Sequence, residues 1–107
     1  MKPLFVYGTL LDDAQLRRVT GRVFPRRLAR LAGHRREWPP DDHPHLVDDA
    51  AAVVEGDLLD DLDDTALAAL DAYECVPTLY ERIDTVVTCD GAAVACWLYR
   101  RAPRPPG

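Results

Sequence analysis

The apolar positions of the chain fall into short segments with different periods. Leu4-Phe5-Val6-Tyr7 is apolar at every position, the pattern of a strand buried on both faces, and Gly8 ends it. Ala14 to Val19 has the spacing of a short helix that Asp12 or Asp13 can cap and Gly21 can close. Phe24 to Trp38 interleaves arginines with Leu28, Leu31 and Trp38, and reads as an irregular strand anchored by those three. Pro39, Pro40 and Pro44 make Pro39 to His45 a loop. Ala51 to Leu59 reads as a strand, with Gly56 marking a bulge or a close backbone approach. Asp63 or Asp64 caps a helix over Thr65 to Tyr73. Two strands follow, Ile83 to Cys89 and Ala92 to Tyr99, joined by the two-residue hairpin signal Asp90-Gly91.

The order β-α-β-β-α-β-β with an antiparallel hairpin predicts an α+β domain with a mixed sheet. Its expected extent is residues 1–102, with a disordered tail over 103–107. The hairpin turn also fixes a register: Cys89 opposite Ala92, Val87 opposite Val94, Thr85 opposite Cys96, and Ile83 opposite Leu98. These residues share one apolar face, so both cysteines point inward. Cys89 and Cys96 then stand roughly 10 Å or more apart along the ladder, which excludes a disulfide between them. The opposite face carries Arg82, Asp84, Trp97 and Tyr99, a mixture suited to a pocket rim or to solvent.

Against this background Glu74 is out of place. Ala66, Leu67, Leu70 and Tyr73 form one stripe of the second helix, and one further residue places Glu74 on that stripe, with Asp71 at its edge. A carboxylate aimed inward is costly unless it is paired, protonated or solvated in a cavity. Its apolar neighbours Val76, Pro77 and Leu79 would raise its proton affinity, which suits a general base near neutral pH. Two bland alternatives stand beside this one: an ion pair with an arginine such as Arg82, or a helix that ends before residue 74.

Tyr7-Gly8-Thr9-Leu10 is a strand-to-helix turn. Glycine lets the backbone approach a ligand closely, and the helix start supplies free N–H groups and partial positive charge that could hold a carboxylate. A plain glycine turn explains the same residues. On the ligand reading, valine at Gly8 should crowd the loop and resist a positive φ.

Composition narrows the possible functions. The 107 residues carry a net charge of −5 and are 48% hydrophobic, which suits one globular domain and argues against a nucleic-acid binder. No apolar run reaches signal-peptide or membrane-spanning length, so a cytoplasmic location and no membrane partner are expected. The three cysteines, Cys75, Cys89 and Cys96, form neither a disulfide framework nor a zinc knuckle. The sequence has no serine and no asparagine, which excludes a serine-hydrolase triad and N-glycosylation.

Phe5-Val6-Tyr7-Gly8-Thr9-Leu10, then Leu70-Asp71-Ala72-Tyr73-Glu74 with Val76-Pro77 and Leu79-Tyr80-Glu81-Arg82, then Ala95-Cys96-Trp97-Leu98-Tyr99, resemble in order the signatures of the γ-glutamylcyclotransferase-like (AIG2-like) family. The resemblance spans Met1 to Arg101. It implies a small mixed β-barrel with flanking short helices. It also implies an enzyme that cyclises a γ-glutamyl amide to 5-oxoproline and releases an amine or amino acid, without metal or other cofactor. Glu74 takes the general acid/base role by this likeness. Tyr7, Gly8, Thr9 and Leu10 form the substrate loop, and Tyr80 and Tyr99 stand near the pocket. The protein would act on a small molecule as a monomer or homodimer. Cys75 stands where the family commonly has glycine, and Arg22 to Asp49 matches only loosely.

Other candidate sites are weaker. Asp41-Asp42-His43-Pro44-His45 with Asp48 and Asp49 mixes metal-ligand types, but Pro44 splays the histidines and a solvated acidic loop is the simpler reading. Cys75 beside Glu74 reads as a passive side chain rather than a nucleophile. Eight of the 13 basic residues lie between Arg17 and Arg36, while Asp41 to Asp64 is acidic. Such runs form a polyanion patch or, more often, solvated or mutually paired faces or a dimer contact. Besides the cyclotransferase, two other functions fit the chain: a γ-glutamyl deprotecting lyase of a biosynthetic pathway, and a catalytically silent ligand-binding module.

Overall fold

The computed structural model describes residues 2–38 and 44–102. Five strands, β1 (Leu4–Val6), β2 (Arg26–Glu37), β3 (His45–Leu59), β4 (Tyr80–Cys89) and β5 (Ala92–Arg101), close into a barrel in the order β1-β3-β2-β4-β5. Two helices, α1 (Asp13–Thr20) and α2 (Asp64–Tyr73), flank it, and a single 3-10 turn, Thr9–Leu11, follows β1. This is the mixed β-barrel with short helices that the sequence resemblance implies. The mixed character comes from β1, which pairs antiparallel with β3 and parallel with β5.

Local chemistry accounts for the element ends. Asp12 caps α1 by accepting from the Ala14 amide at 3.0 Å, and Gly21 closes it in the left-handed conformation. Asp63 caps α2 by accepting from Ala66 at 2.8 Å. Asp90 and Gly91 both have positive φ, the geometry of a type I′ turn, and the β4–β5 register follows the sequence reading at every predicted pair. Cys89 and Cys96 are buried and form no disulfide.

β1 is buried on both faces because it divides two cores. Leu4 and Val6 face a layer with Leu16, Leu59, Leu62, Ala66 and Leu70 beneath the helices. Phe5 and Tyr7 point into the barrel with Ala29, Leu31, Val54, Leu58, Val87 and Leu98.

Three expectations need correction, and the two readings left open at Gly56 are decided. Leu28 and Trp38 do not anchor β2: they are 67% and 53% exposed, whereas Ala29 and Leu31 alternate inward, as the two-residue period requires. β3 begins at His45, six residues before Ala51, because its first turns pair with the long arm of β2; the rest of the proposed loop, residues 39–43, lies outside the described residues. The bulge falls in β2, where the register shifts between Ala32 and His34 around Gly33, whose φ is +79°. Gly56 answers to the other reading, close approach: a Cβ there would stand 2.2 Å from the Val6 carbonyl oxygen. Finally, Tyr73 is 36% exposed rather than part of the α2 stripe.

The arginine-rich segment pairs with the acidic runs. Arg22 meets Asp63 at 2.9 Å, Arg26 meets Asp13 and Asp57 at 2.8 and 3.0 Å, and Arg27 meets Asp60 at 2.7 Å. Arg30 meets Glu55 at 3.2 Å. The structure therefore shows mutually paired faces. No helix among the described residues is long and apolar enough to cross a membrane.

Candidate active site

Glu74 is the first residue beyond α2. Its backbone is still helical and its amide bonds the Leu70 carbonyl at 2.9 Å, so the side chain continues the inward stripe of Leu67 and Leu70. Among the described residues no cation and no side-chain hydrogen bond meets its carboxylate. Arg82, the candidate partner, instead pairs with Asp71 at 2.9 Å. Burial without a partner raises the Glu74 carboxyl from its ordinary 4.5 to about 7.

The carboxylate looks into a cavity of about 240 Å³. Its walls include Tyr7, Gly8, Thr9, Leu10, Tyr80 and Tyr99, so the structure brings every site residue named from the sequence to one place. Phe5, Val6, Pro44, Tyr73, Cys75 and Leu79 complete the lining. Of these, Tyr73 escaped the sequence reading because its helical phase matched the core stripe. Its hydroxyl instead lies 2.9 Å from Thr9 Oγ1 and accepts from Gln15 at 3.2 Å.

The loop departs from the sequence expectation in two respects. Gly8 has φ −131°, not a positive value, and what excludes a side chain there is Pro44, whose Cγ would lie 2.9 Å from a Cβ. A 3-10 turn also stands between Gly8 and α1, so the dipole of a full helix does not point at the loop. The amides remain. In that turn Leu11 and Asp12 bond back to Gly8 and Thr9, while the N–H groups of Thr9 and Leu10 have no acceptor among the described residues.

The tyrosines are fixed by hydrogen bonds of their own. The Tyr7 hydroxyl donates to the Tyr99 carbonyl at 2.6 Å, the Tyr80 hydroxyl donates to the Pro44 carbonyl, and the Tyr99 hydroxyl donates to Asp71 Oδ1 at 2.7 Å. Burial pushes the Tyr7 and Tyr99 phenols well above their ordinary range; the neighbouring Tyr80 and then Glu74 add to it at Tyr7, and the Asp71 hydrogen bond adds to it at Tyr99. Cys75, on the cavity wall, has φ +56°, a left-handed conformation that favours glycine. Among the described residues no group of three or more metal-ligating side chains occurs. Asp41, Asp42 and His43 lie outside them, and Asp48 and Asp49 face His34 and Arg35.

Comparison with known proteins agrees with this architecture. The sequence profile described as "Gamma-glutamyl cyclotransferase, AIG2-like" matches residues 4–106. The fold is similar to the solution structure of an Arabidopsis thaliana protein (24% identity, TM-score 0.81, covering 94% of this chain and 68% of that one). It is also similar to a gamma-glutamyl cyclotransferase (18%, 0.81, 94% and 66%) and to an AIG2-like protein from Mus musculus (23%, 0.78, 99% and 80%). The chain thus spans about two thirds of the length of the first two. At these identities the likeness establishes the fold. No curated protein matches the sequence.

Proposed function

Because the chain belongs to the gamma-glutamyl cyclotransferase, AIG2-like family, we propose that it cyclises a γ-glutamyl amide to 5-oxoproline and releases an amine or amino acid, with Glu74 as the general acid/base. The observation that carries this reading is a carboxyl with no partner among the described residues, held near pKa 7, on the wall of the same cavity as Thr9 and Leu10, whose amides have no acceptor among those residues. A silent binding module has no use for so costly a group.

The chemistry asks little of the protein. The substrate supplies its nucleophile, the α-amine, and its electrophile, the γ-carbonyl carbon. Attack forms the ring C–N bond. Collapse of the tetrahedral intermediate breaks the original γ C–N bond. Glu74 accepts the proton lost by the attacking amine and delivers it to the leaving nitrogen, so one carboxyl serves both transfers and ends as it began. Such acid/base assistance contributes about 10²–10⁴-fold. Folding the glutamyl chain into a near-attack shape adds effective molarity. The Thr9 and Leu10 amides suit the α-carboxylate or the charge developing on the γ-oxygen. The aromatic wall of Tyr80 and Tyr99 excludes water from the ring-closing conformer.

The direct test is a panel of γ-glutamyl amides (dipeptides, simple alkylamides and an ε-lysine conjugate) assayed for release of 5-oxoproline. Turnover of at least one member is expected. A stoichiometric complex without product for every member that binds would instead identify a silent module.

A further inference from the structure

Asp71 is joined by its carboxylate to Tyr99 on the cavity wall and to Arg82 beside it. Its Oδ1 accepts from the Tyr99 hydroxyl at 2.7 Å and from Arg82 Nε at 2.9 Å, and its Oδ2 accepts from Arg82 Nη2 at 3.2 Å. Its carbonyl accepts from the Val76 amide at 3.0 Å, two residues beyond Glu74. Asp71 comes from α2, while Arg82 and Tyr99 are cross-strand partners on β4 and β5. Arg82 is fixed in turn by stacking on Trp97 at 4.5 Å. A phenol has one proton and two lone pairs, and a carboxylate only accepts. The Tyr99 proton is therefore committed to Asp71, and the phenol oxygen can meet a ligand only as an acceptor.

We propose that Asp71 is a positioning residue: it orients Tyr99 to accept a hydrogen bond from the substrate α-amine. This rests on the cyclotransferase reading above. A neutral α-amine has two N–H bonds and one lone pair. If one N–H points to Glu74 and the other to the Tyr99 oxygen, the lone pair is left to face the γ-carbonyl carbon. Asparagine at 71 upsets the arrangement. With its carbonyl oxygen on Arg82, its NH₂ faces Tyr99 and turns the phenol proton toward the cavity, against the amine.

The test is a double-mutant cycle between Asp71→Asn and Tyr99→Phe, with kcat and KM measured on whichever γ-glutamyl amide the wild type turns over best. Asp71→Asn alone should lower kcat/KM about tenfold to a hundredfold, with a loss of Tm under about 8 °C. In the Tyr99→Phe background the same change should lower kcat/KM by no more than about twofold beyond Tyr99→Phe alone, since independent effects would simply multiply. Equal losses in both backgrounds, or wild-type kinetics for Asp71→Asn, overturn the proposal. A second measurement needs no turnover: the Tyr99 ring ¹³Cζ resonance. Asp71→Asn should shift it, and no change overturns the positioning role. Lack of turnover by the wild type on every amide would sink the cyclotransferase reading, and the resonance measurement then decides the positioning role alone.

Discussion

At the scale of single residues, Glu74 links stability and activity. In the folded chain its carboxyl keeps a proton up to about pH 7, whereas the unfolded chain releases it near 4.5. The folded state therefore binds more protons in that window. The stability this confers is complete below pH 4.5 and is lost as pH rises through 7. At higher pH the charged, desolvated carboxylate costs about 3 kcal/mol, the equivalent of a rise from 4.5 to about 7. Glu74→Gln keeps the shape and cannot ionise. It should abolish 5-oxoproline release, raise Tm relative to wild type at pH 8, and match wild type at pH 4. Wild-type kcat/KM should fall as pH drops below about 7. A Gln variant that keeps most of the rate would remove Glu74 from the mechanism. The neighbour, Cys75, is strained for a different reason. Its φ of +56° suits glycine, so Cys75→Gly should stabilise the fold by about 0.5 kcal/mol, the relief of left-handed strain less glycine's extra unfolded-state entropy. Chemical denaturation reads this directly.

At the scale of elements, β1 and the loop it feeds are the most constrained parts of the chain. Gly56 on β3 lets β1 close the barrel, because a Cβ would stand 2.2 Å from the Val6 oxygen and 2.8 Å from the Phe5 ring. Backbone cannot yield there, so Gly56→Ala should destabilise by about 3 kcal/mol, the upper end of overpacking costs, read as a lowered denaturant midpoint. Gly8 is a milder case. An alanine Cβ would press on Pro44 Cγ at 2.9 Å, and Pro44 also receives the Tyr80 hydroxyl. Gly8→Ala should thus weaken substrate binding more than it lowers Tm, and Gly8→Val should abolish binding. Calorimetric titration with a γ-glutamyl amide beside a melting curve separates the two effects. Normal binding by the valine variant would rule out the loop as a cradle. The sequence marked both glycines, although the reason it suggested for Gly8, a positive φ, gave way to a contact with a residue 36 positions away.

At the scale of the whole molecule, the barrel presents a carboxyl, backbone amides and aromatic groups to one cavity, and the proposed reaction uses nothing else. Turnover should therefore survive a strong chelator, and it should survive Cys75→Ala. Loss with the chelator and recovery with a divalent cation would bring His45 and its acidic neighbours into the mechanism. The surface ion pairs between the arginine segment and the acidic runs are mostly exposed and contribute little each.

Local rules were enough to narrow each helix cap to one of two adjacent aspartates and to set the Asp90-Gly91 turn and the β4–β5 register, because each depends on residues near one another in sequence. The phase of α2 likewise aimed Glu74 inward before any neighbour was known. The tertiary structure decided the rest. The parallel pairing of β1 with β5, which closes the barrel, joins residues more than ninety positions apart, and no local period encodes it. The same closure places Tyr99 under α2 and gives Arg82 to Asp71 rather than to Glu74. A carboxylate's partner depends on which side chains the fold brings within reach, and that assignment left Glu74 unpaired, with burial to raise its proton affinity.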